Sequence, residues 1–143
     1  LVYAVLEYIE LTGKLDILYE EEPYVEGNIL EDGVDEKYDE YEESKEKEPV
    51  LEHLIKAIER SLKFGKNGLP KIGSGDWNDG FSTVGNKGRG ESVWLGFFLY
   101  DILDRFIPIL EKIDKKELAQ KYEEIKIKLK KALNTKGWDR KMV

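Results

Sequence analysis

The chain has 143 residues, a formal net charge of −7, one histidine and no cysteine. This length allows one domain with a hydrophobic core, and the lack of cysteine excludes disulfides and thiolate metal sites. The single histidine, His53, cannot build a zinc site alone, so we expect no bound metal.

The first helix is predicted from apolar residues at helical spacing between Val2 and Ile9, and Thr12-Gly13 would end it. The sequence contains no signal-peptide pattern and no apolar run of about 18 residues. We therefore expect a cytoplasmic chain, or one on the cytoplasmic side of a larger membrane protein.

An acidic segment, about residues 31–48, accounts for the net charge. Residues 30–48 contain ten carboxylates and three lysines, which sum to −7. The segment has no apolar residues at helical spacing, and such a composition predicts a solvated surface loop or insertion.

Three further helices are predicted. Pro49 suits the first turn of a helix whose apolar stripe includes Leu51, Leu54 and Ile58, and Phe64-Gly65 would close it. A second begins at Ser92 and is apolar on almost every side. Pro108 should kink or end this second helix.

Asp114 and Glu117 have the spacing of a capping box, which predicts the start of a last helix. Its lysines are interleaved with three glutamates, so we interpret them as a solvated helix face and expect no nucleic-acid partner. The helix from Ser92 differs from this one. Because it is apolar on almost every side, it must be covered on every side. We expect Trp94, Phe97 and Phe98 in the core, covered by the rest of a larger domain or within a homo-oligomer.

Two glycine-rich loops lie in residues 66–91, between the helix that starts at Pro49 and the helix that starts at Ser92. The first contains Gly-Ser-Gly-Asp-Trp-Asn-Asp-Gly from Gly73 to Gly80. It therefore places Trp77 between the carboxylates of Asp76 and Asp79. Carbohydrate enzymes need a flat aromatic surface for a sugar ring and a nearby acid that protonates a glycosidic oxygen.

This loop has other interpretations when it is taken alone. Asp76, Asn78 and Asp79 could hydrogen-bond a tight turn, with Trp77 filling the core, because Asn, Asp and Gly are ordinary turn residues. A calcium loop fits poorly: Gly80 is the fifth residue counted from Asp76, whereas the calcium pattern has glycine at the sixth position.

The second loop runs from Gly85 to Ser92 and contains Arg89 and Glu91. These two side chains could bind a sugar hydroxyl or phosphate, and they could equally pair with each other or with the turn backbone. The loop differs from a nucleotide-binding phosphate loop because no Lys-Ser/Thr follows its glycines.

A longer string resolves part of this ambiguity. Gly-Leu-Pro-x-Ile-Gly-Ser-Gly-Asp-Trp-Asn-Asp-Gly at 68–80, then Gly-Arg-Gly-Glu-Ser-Val-Trp-Leu-Gly-Phe-Phe-Leu at 88–99, resembles glycoside hydrolase family 94. That family contains inverting β-glucoside phosphorylases and the phosphorylase-like domain of cyclic β-1,2-glucan synthase. Segments 3–13, 52–62 and 137–139 also resemble it, and the Gly-Ser-Gly-Asp-Trp-Asn-Asp-Gly loop looks closer to the β-1,2-glucan branch than to the cellobiose branch.

The resemblance implies an all-α fold, an (α/α)6 barrel with long glycine-rich loops between helices. A chain of 143 residues is too short for a whole barrel. We therefore expect residues 1–143 to be a fragment of one catalytic domain, inactive alone, with the phosphate-binding loops elsewhere.

The resemblance also implies site roles. Asp79 would be the general acid, with a pKa raised by burial beside an indole and near another carboxylate. Trp77 would line the sugar site, and Asp76 and Asn78 would shape the loop and lie near substrate. The substrates would be a β-linked oligosaccharide and inorganic phosphate as nucleophile, with no cofactor. The candidate substrate-binding residues are Trp77, Asp76, Asn78, Arg89 and Glu91.

Two other functions remain open from the residues. A hydrolase of related helical-barrel fold would use water in place of phosphate, and a non-catalytic sugar-binding domain would keep the aromatic surface without using the acid. Cleavage that depends on phosphate would distinguish a phosphorylase from a hydrolase. Cleavage that needs the Asp79 carboxylate would distinguish either enzyme from a sugar-binding domain.

Overall fold

The computed structural model describes residues 1–28, 31, 34, 37–73 and 83–138. The chain divides into two compact units, Leu1–Arg60 and Ser61–Val143. The described elements of the first are α1 (Val2–Thr12), a short 3-10 helix (Asp16–Tyr19), β1 (Glu21–Glu26), β2 (Glu42–Pro49) and most of α2 (Val50–Ser61). The second contains α3 (Val93–Lys112) and α4 (Lys116–Lys136).

Helices α1 and α2 form where the apolar spacing predicts them. Val2, Val5, Leu6 and Ile9 are buried on α1, and Gly13 ends the helix with φ 69° while its N–H donates to the Ile9 carbonyl. Helix α2 buries Leu51, Leu54 and Ile58. It ends at Ser61, three residues before Phe64, because the chain then enters the first loop.

The expectation of a loop over residues 31–48 is wrong for its second half. Residues 42–49 form β2, which pairs antiparallel with β1, so the chain is not all-α. Between the pairs Pro23↔Lys47 and Val25↔Glu43, the single residue Tyr24 faces three residues of β2, which is a bulge. Proline is tolerated in both strands because each is an edge strand.

A four-residue cluster joins this hairpin to α2. The Lys56 ammonium lies 2.7 Å from the Glu48 carboxylate, and the Tyr24 hydroxyl donates to the same oxygen. The His53 ring stacks on Tyr24 with 4.1 Å between centroids. His53 Nε2 lies 3.0 Å from the Glu22 carbonyl, which can only accept, so Nε2 carries the proton. His53 is thus a structural contact between helix and strand.

The second unit is built on the packing of α3 against α4. Phe106 and Tyr122 are fully buried, with ring centroids 6.4 Å apart. Lys126 joins the helices at the surface of this contact, 3.0 Å from Asp104 of α3 and 2.7 Å from Glu123 of its own helix. The buried apolar residues of this helix pair include Leu99, Leu103, Leu110, Leu129 and Leu133.

The prediction that Asp114 caps α4 is wrong, and of the two outcomes predicted at Pro108, the end of the helix does not occur there. Asp114 does not cap α4: it has φ 60°, Lys115 is the N-cap residue, and no side-chain hydrogen bond caps the helix. The Asp114 carboxylate instead lies 2.9 Å from the Lys116 ammonium. Helix α3 continues through Pro108 to Lys112. Pro108 and Asp104 are on the exposed side, where water can hydrate the carbonyl that the proline leaves without a donor.

Trp94, Phe97 and Phe98, which we expect in a core, are not buried by the described part of this chain. Their exposed fractions are 44%, 60% and 37%, although Trp94 and Phe98 stack on each other. Gly96 and Phe106 contact α4, and these three aromatic residues lie on a different side of α3. Among the described helices, none has the length and apolar character needed to cross a bilayer.

The Glu48–Lys56 pair predicts how hairpin stability depends on pH. Hydrogen bonds from Lys56 and then Tyr24 lower the pKa of Glu48, and the bond to Glu48 raises the pKa of Lys56. The Glu48 carboxylate therefore stabilises the folded state fully above its unfolded pKa of about 4.3. This stabilisation is lost as the pH falls through the lower pKa that Glu48 has in the folded state. We expect Glu48→Gln to lower the melting temperature at pH 7, and this difference should shrink as the pH falls below the unfolded pKa of Glu48. The measurement is thermal unfolding across this pH range.

Glu46→Gln is the matched control, because it removes the same charge from an exposed position of the same strand. Equal shifts in the two variants at pH 7 would show that net charge, and not the contact with Lys56, produces the effect.

Candidate active site

The two glycine-rich loops are joined at their base by backbone pairing. Lys71 and Glu91 form an antiparallel bridge. The Ile72 N–H donates to the Gly90 carbonyl at 3.0 Å, and the Ser92 N–H donates to the Pro70 carbonyl at 2.8 Å. The chain that leads into residues 74–82 therefore lies beside the chain that leads out of the second loop.

The first loop begins with a tight turn between Gly65 and Leu69. The Gly65 N–H donates to the Leu69 carbonyl at 2.9 Å, and the Gly68 N–H donates to the Gly65 carbonyl at 3.1 Å. Leu69 is buried, which fixes the end of the turn in the core. A cavity of about 330 Å³ beside the turn is lined by Phe64, Gly68, Ile125, Lys128 and Leu129.

Glu91 binds this turn with its carboxylate. One oxygen accepts from the backbone N–H of Asn67 at 3.0 Å, and the other accepts from the backbone N–H of Leu69 at 3.4 Å. A Cβ on Gly65 would lie 2.1 Å from a Glu91 oxygen, so only glycine leaves room for this side chain. The sequence leaves open whether Glu91 binds substrate, Arg89 or the turn backbone. In the structure it accepts hydrogen bonds from the turn backbone.

The second loop approaches the first so closely that two glycines are required. A Cβ on Gly85 would lie 2.0 Å from both the Gly73 carbonyl oxygen and the Ile72 side chain. A Cβ on Gly90 would lie 2.7 Å from the same Ile72 side chain. Ile72 is buried, so it cannot easily move aside. The backbone at Gly73 is thereby fixed against Gly85.

The base of the loops continues directly into α3. Ser92 is the N-cap residue, and its hydroxyl accepts from the Leu95 N–H at 3.1 Å. The N–H of the same residue donates to Pro70, as described above. The predicted start of this helix is confirmed, and one residue connects the loop base to the helical core.

The structure describes only two of the six predicted site residues, Arg89 and Glu91. Asp76, Trp77, Asn78 and Asp79 lie outside the described residues. Arg89 is exposed between two loop glycines, and Glu91 is half-buried against the turn. In the part of the chain that is described, no group of three or more histidine or carboxylate side chains is arranged to hold a metal ion.

Sequence patterns did not reveal the partners of Glu91. The residues that bind or accommodate it, Gly65, Asn67 and Leu69, precede it by more than twenty positions. Gly65 and Gly68 do indicate a turn, but a turn pattern does not say which side chain binds its N–H groups.

Comparison with known proteins identifies the family. A model described as "Glycosyl hydrolase 94 superfamily, catalytic domain" matches residues 2–142. The chain belongs to this superfamily. The resemblance drawn from the loop sequences is thus confirmed.

Three relatives illustrate the range of the family. The chain is 39% identical over 140 residues to the cyclic beta-(1,2)-glucan synthase NdvB of Rhizobium meliloti (strain 1021), covering 97% of this chain and 5% of that protein. It is 31% identical over 134 residues to the solabiose phosphorylase of Paenibacillus borealis, covering 92% and 15%. It is 24% identical over 140 residues to an N,N'-diacetylchitobiose phosphorylase of Vibrio furnissii, covering 97% and 15%. The chain therefore spans no more than 15% of the length of these relatives.

The close contact at Gly85 predicts that a single added methyl group lowers the stability of the protein. We expect Gly85→Ala to destabilise the protein by about 1–3 kcal/mol, because the added carbon overlaps backbone that the buried Ile72 holds in place. The measurement is chemical denaturation of the two proteins under identical conditions.

Gly88→Asn is the control in the same loop. A Cβ at Gly88 meets nothing within 4 Å, and asparagine tolerates its φ of 66°. A Gly85→Ala variant as stable as Gly88→Asn would contradict the close approach of the two loops.

Proposed function

We propose that this chain carries the acid-bearing loop of an inverting glycoside phosphorylase that acts on β-linked glucosides. The observation that carries the proposal is the catalytic-domain match over residues 2–142, which includes the whole Asp-Trp-Asn-Asp loop. Relatives named as phosphorylases of solabiose and of N,N'-diacetylchitobiose support the reaction type. We also propose that the described helices belong to an (α/α)6 barrel completed by the rest of the full-length gene product.

In this proposal, inorganic phosphate attacks the anomeric carbon from the face opposite the leaving group. The bond between that carbon and the glycosidic oxygen breaks, and Asp79 gives its proton to the departing oxygen. The new bond is to a phosphate oxygen, so a β-glucoside yields an α-sugar 1-phosphate. Asp79 then recovers a proton from solvent. One protein carboxylic acid is sufficient, because phosphate is already a nucleophile.

The other residues bind and orient in this scheme. Trp77 offers its ring to the face of the sugar, and Asp76 and Asn78 shape the loop beside it. The exposed Arg89 side chain is suited to bind a sugar hydroxyl or phosphate. A cytoplasmic location is part of the proposal, since phosphorolysis draws on a pool of inorganic phosphate.

A β-1,2-linked glucan is the substrate that we favour. The NdvB relative is named as a cyclic β-(1,2)-glucan synthase and covers 97% of this chain at 39% identity. The hydrolase alternative differs in one measurable respect. A hydrolase would release free sugar in the absence of phosphate, whereas the proposed enzyme forms a sugar 1-phosphate only when phosphate is present.

The role of Asp79 can be tested in the full-length gene product. We expect Asp79→Asn to lower the rate of phosphorolysis by about 10²–10⁴, because the leaving oxygen loses its proton donor. An activated aryl β-glucoside should restore much of the rate, because a good leaving group departs without a proton. The measurement is phosphate-dependent formation of sugar 1-phosphate from both substrates.

Asp76→Asn is the matched variant, since it changes the other carboxylate of the same loop. A larger loss in Asp76→Asn, together with recovery on the activated substrate in that variant alone, would reverse the two assignments.

The role of Trp77 predicts a change in binding with little change in stability. We expect Trp77→Ala to raise KM for the oligosaccharide by about tenfold or more, since stacking on a ring face contributes on the order of 1–2 kcal/mol. The melting temperature should change little. A large fall in melting temperature with KM unchanged would indicate that the indole fills the core instead.

A further inference from the structure

We propose that Glu91 is a positioning residue for the acid-bearing loop, acting through the Gly65–Leu69 turn. The inference rests on the proposed function, in which residues 74–82 carry the general acid. Glu91 would then contribute to the reaction without touching sugar or phosphate. This role differs from the substrate contact that the sequence alone suggests for it.

The first argument is the geometry of the Glu91 carboxylate. Its two oxygens face two different backbone donors, the N–H groups of Asn67 and Leu69. The Asn67 side-chain amide lies 3.5 Å from the same oxygen that its backbone N–H contacts. A carboxylate has only acceptor sites, so it suits a turn that presents converging donors. The side chain is thus directed toward the turn.

The second argument is that Glu91 also joins the turn to the chain that enters residues 74–82. The backbone of Glu91 forms its bridge with Lys71, one residue before Ile72. The Lys71 N–H donates back to the Lys63 carbonyl at 2.8 Å, which closes the other side of the turn. One residue therefore binds the turn with its side chain and pairs with the strand after the turn through its backbone.

The third argument is the limited packing of α4 against the turn. Gly68 touches Ala132 of α4, where an added Cβ would meet the alanine methyl group at 3.3 Å. The 330 Å³ cavity lies beside that contact, so α4 does not pack fully against the turn. The Glu91 side chain therefore adds two hydrogen bonds from outside the turn to those that the turn makes within itself.

The test compares Glu91→Gln and Glu91→Ala in the full-length gene product. Hydrogen exchange of peptides covering residues 63–72 is measured without sugar or phosphate, and kcat and KM are measured for phosphorolysis. We expect exchange at the Asn67 and Leu69 amides to rise roughly tenfold to a hundredfold in Glu91→Ala, because each donates to a charged acceptor. Glu91→Gln keeps one acceptor and should show the rise at one amide only.

The kinetic result separates positioning from substrate binding. We expect kcat to fall by about tenfold to a hundredfold with KM nearly unchanged, since a small misplacement of a reacting group has effects of this size. Glu117→Gln, an exposed acid in the first turn of α4, is the control for the change in charge and should leave both readouts unchanged. If Glu91→Ala fails to fold, the isosteric Glu91→Gln decides the question.

Two results would overturn the inference. One is a rise in KM with unchanged exchange at Asn67 and Leu69, which would make Glu91 a substrate contact. The other is faster exchange with unchanged kcat, which would make the turn irrelevant to the reaction. If the wild-type protein has no phosphate-dependent activity, the proposed function fails, while the exchange rates still decide whether Glu91 holds the turn.

Discussion

The close approach of two backbone segments, residues 70–73 and 85–92, is the constraint on which the candidate site depends. No side chain fits between Gly85 and Gly73, and the hydrogen bonds of Ile72 and Ser92 fix the register of the two segments. Glycine makes this possible because it lacks the Cβ that would separate the chains. The cost is entropy in the unfolded state, which the buried Ile72 and Leu69 help to offset. Such close backbone pairing holds the two ends of a long loop at a fixed separation.

The hairpin in the first unit illustrates a different source of stability. Glu22 faces Glu48 across the strands and Glu26 faces Glu42, and like charges directly opposite are unfavourable. An isolated two-stranded hairpin is marginal even without such pairs. The contacts of Tyr24 with His53 and of Glu48 with Lys56 therefore add support that the strand pairing lacks. Helix α2 supplies both, an aromatic ring from His53 and a cation from Lys56.

These two features show which parts of the structure the sequence could predict. Apolar spacing predicts α1, α2 and the start of α3 because a buried stripe is a local property of the chain. The hairpin was missed because its strands are mostly exposed and their partners lie on a helix. The residue types in the loops, read with the family resemblance, predict the chemistry of the site. They could not predict that Glu91 binds a turn more than twenty residues earlier, since the pairing exists only after the loops have folded together.

Ser92 links the loop base to the packed helix pair of the second unit. Its N–H pairs with Pro70, its hydroxyl caps α3, and its carbonyl accepts from Gly96 at 3.2 Å. Four residues further on, α3 packs against α4, where an added Cβ at Gly96 would lie 2.9 Å from Leu133. The position of the loop base is thus set by the same helix pair that buries Phe106 and Tyr122. General acid catalysis requires a proton donor held within about 3 Å of the leaving oxygen, and a loop anchored to a packed helix meets that requirement better than one anchored to another loop.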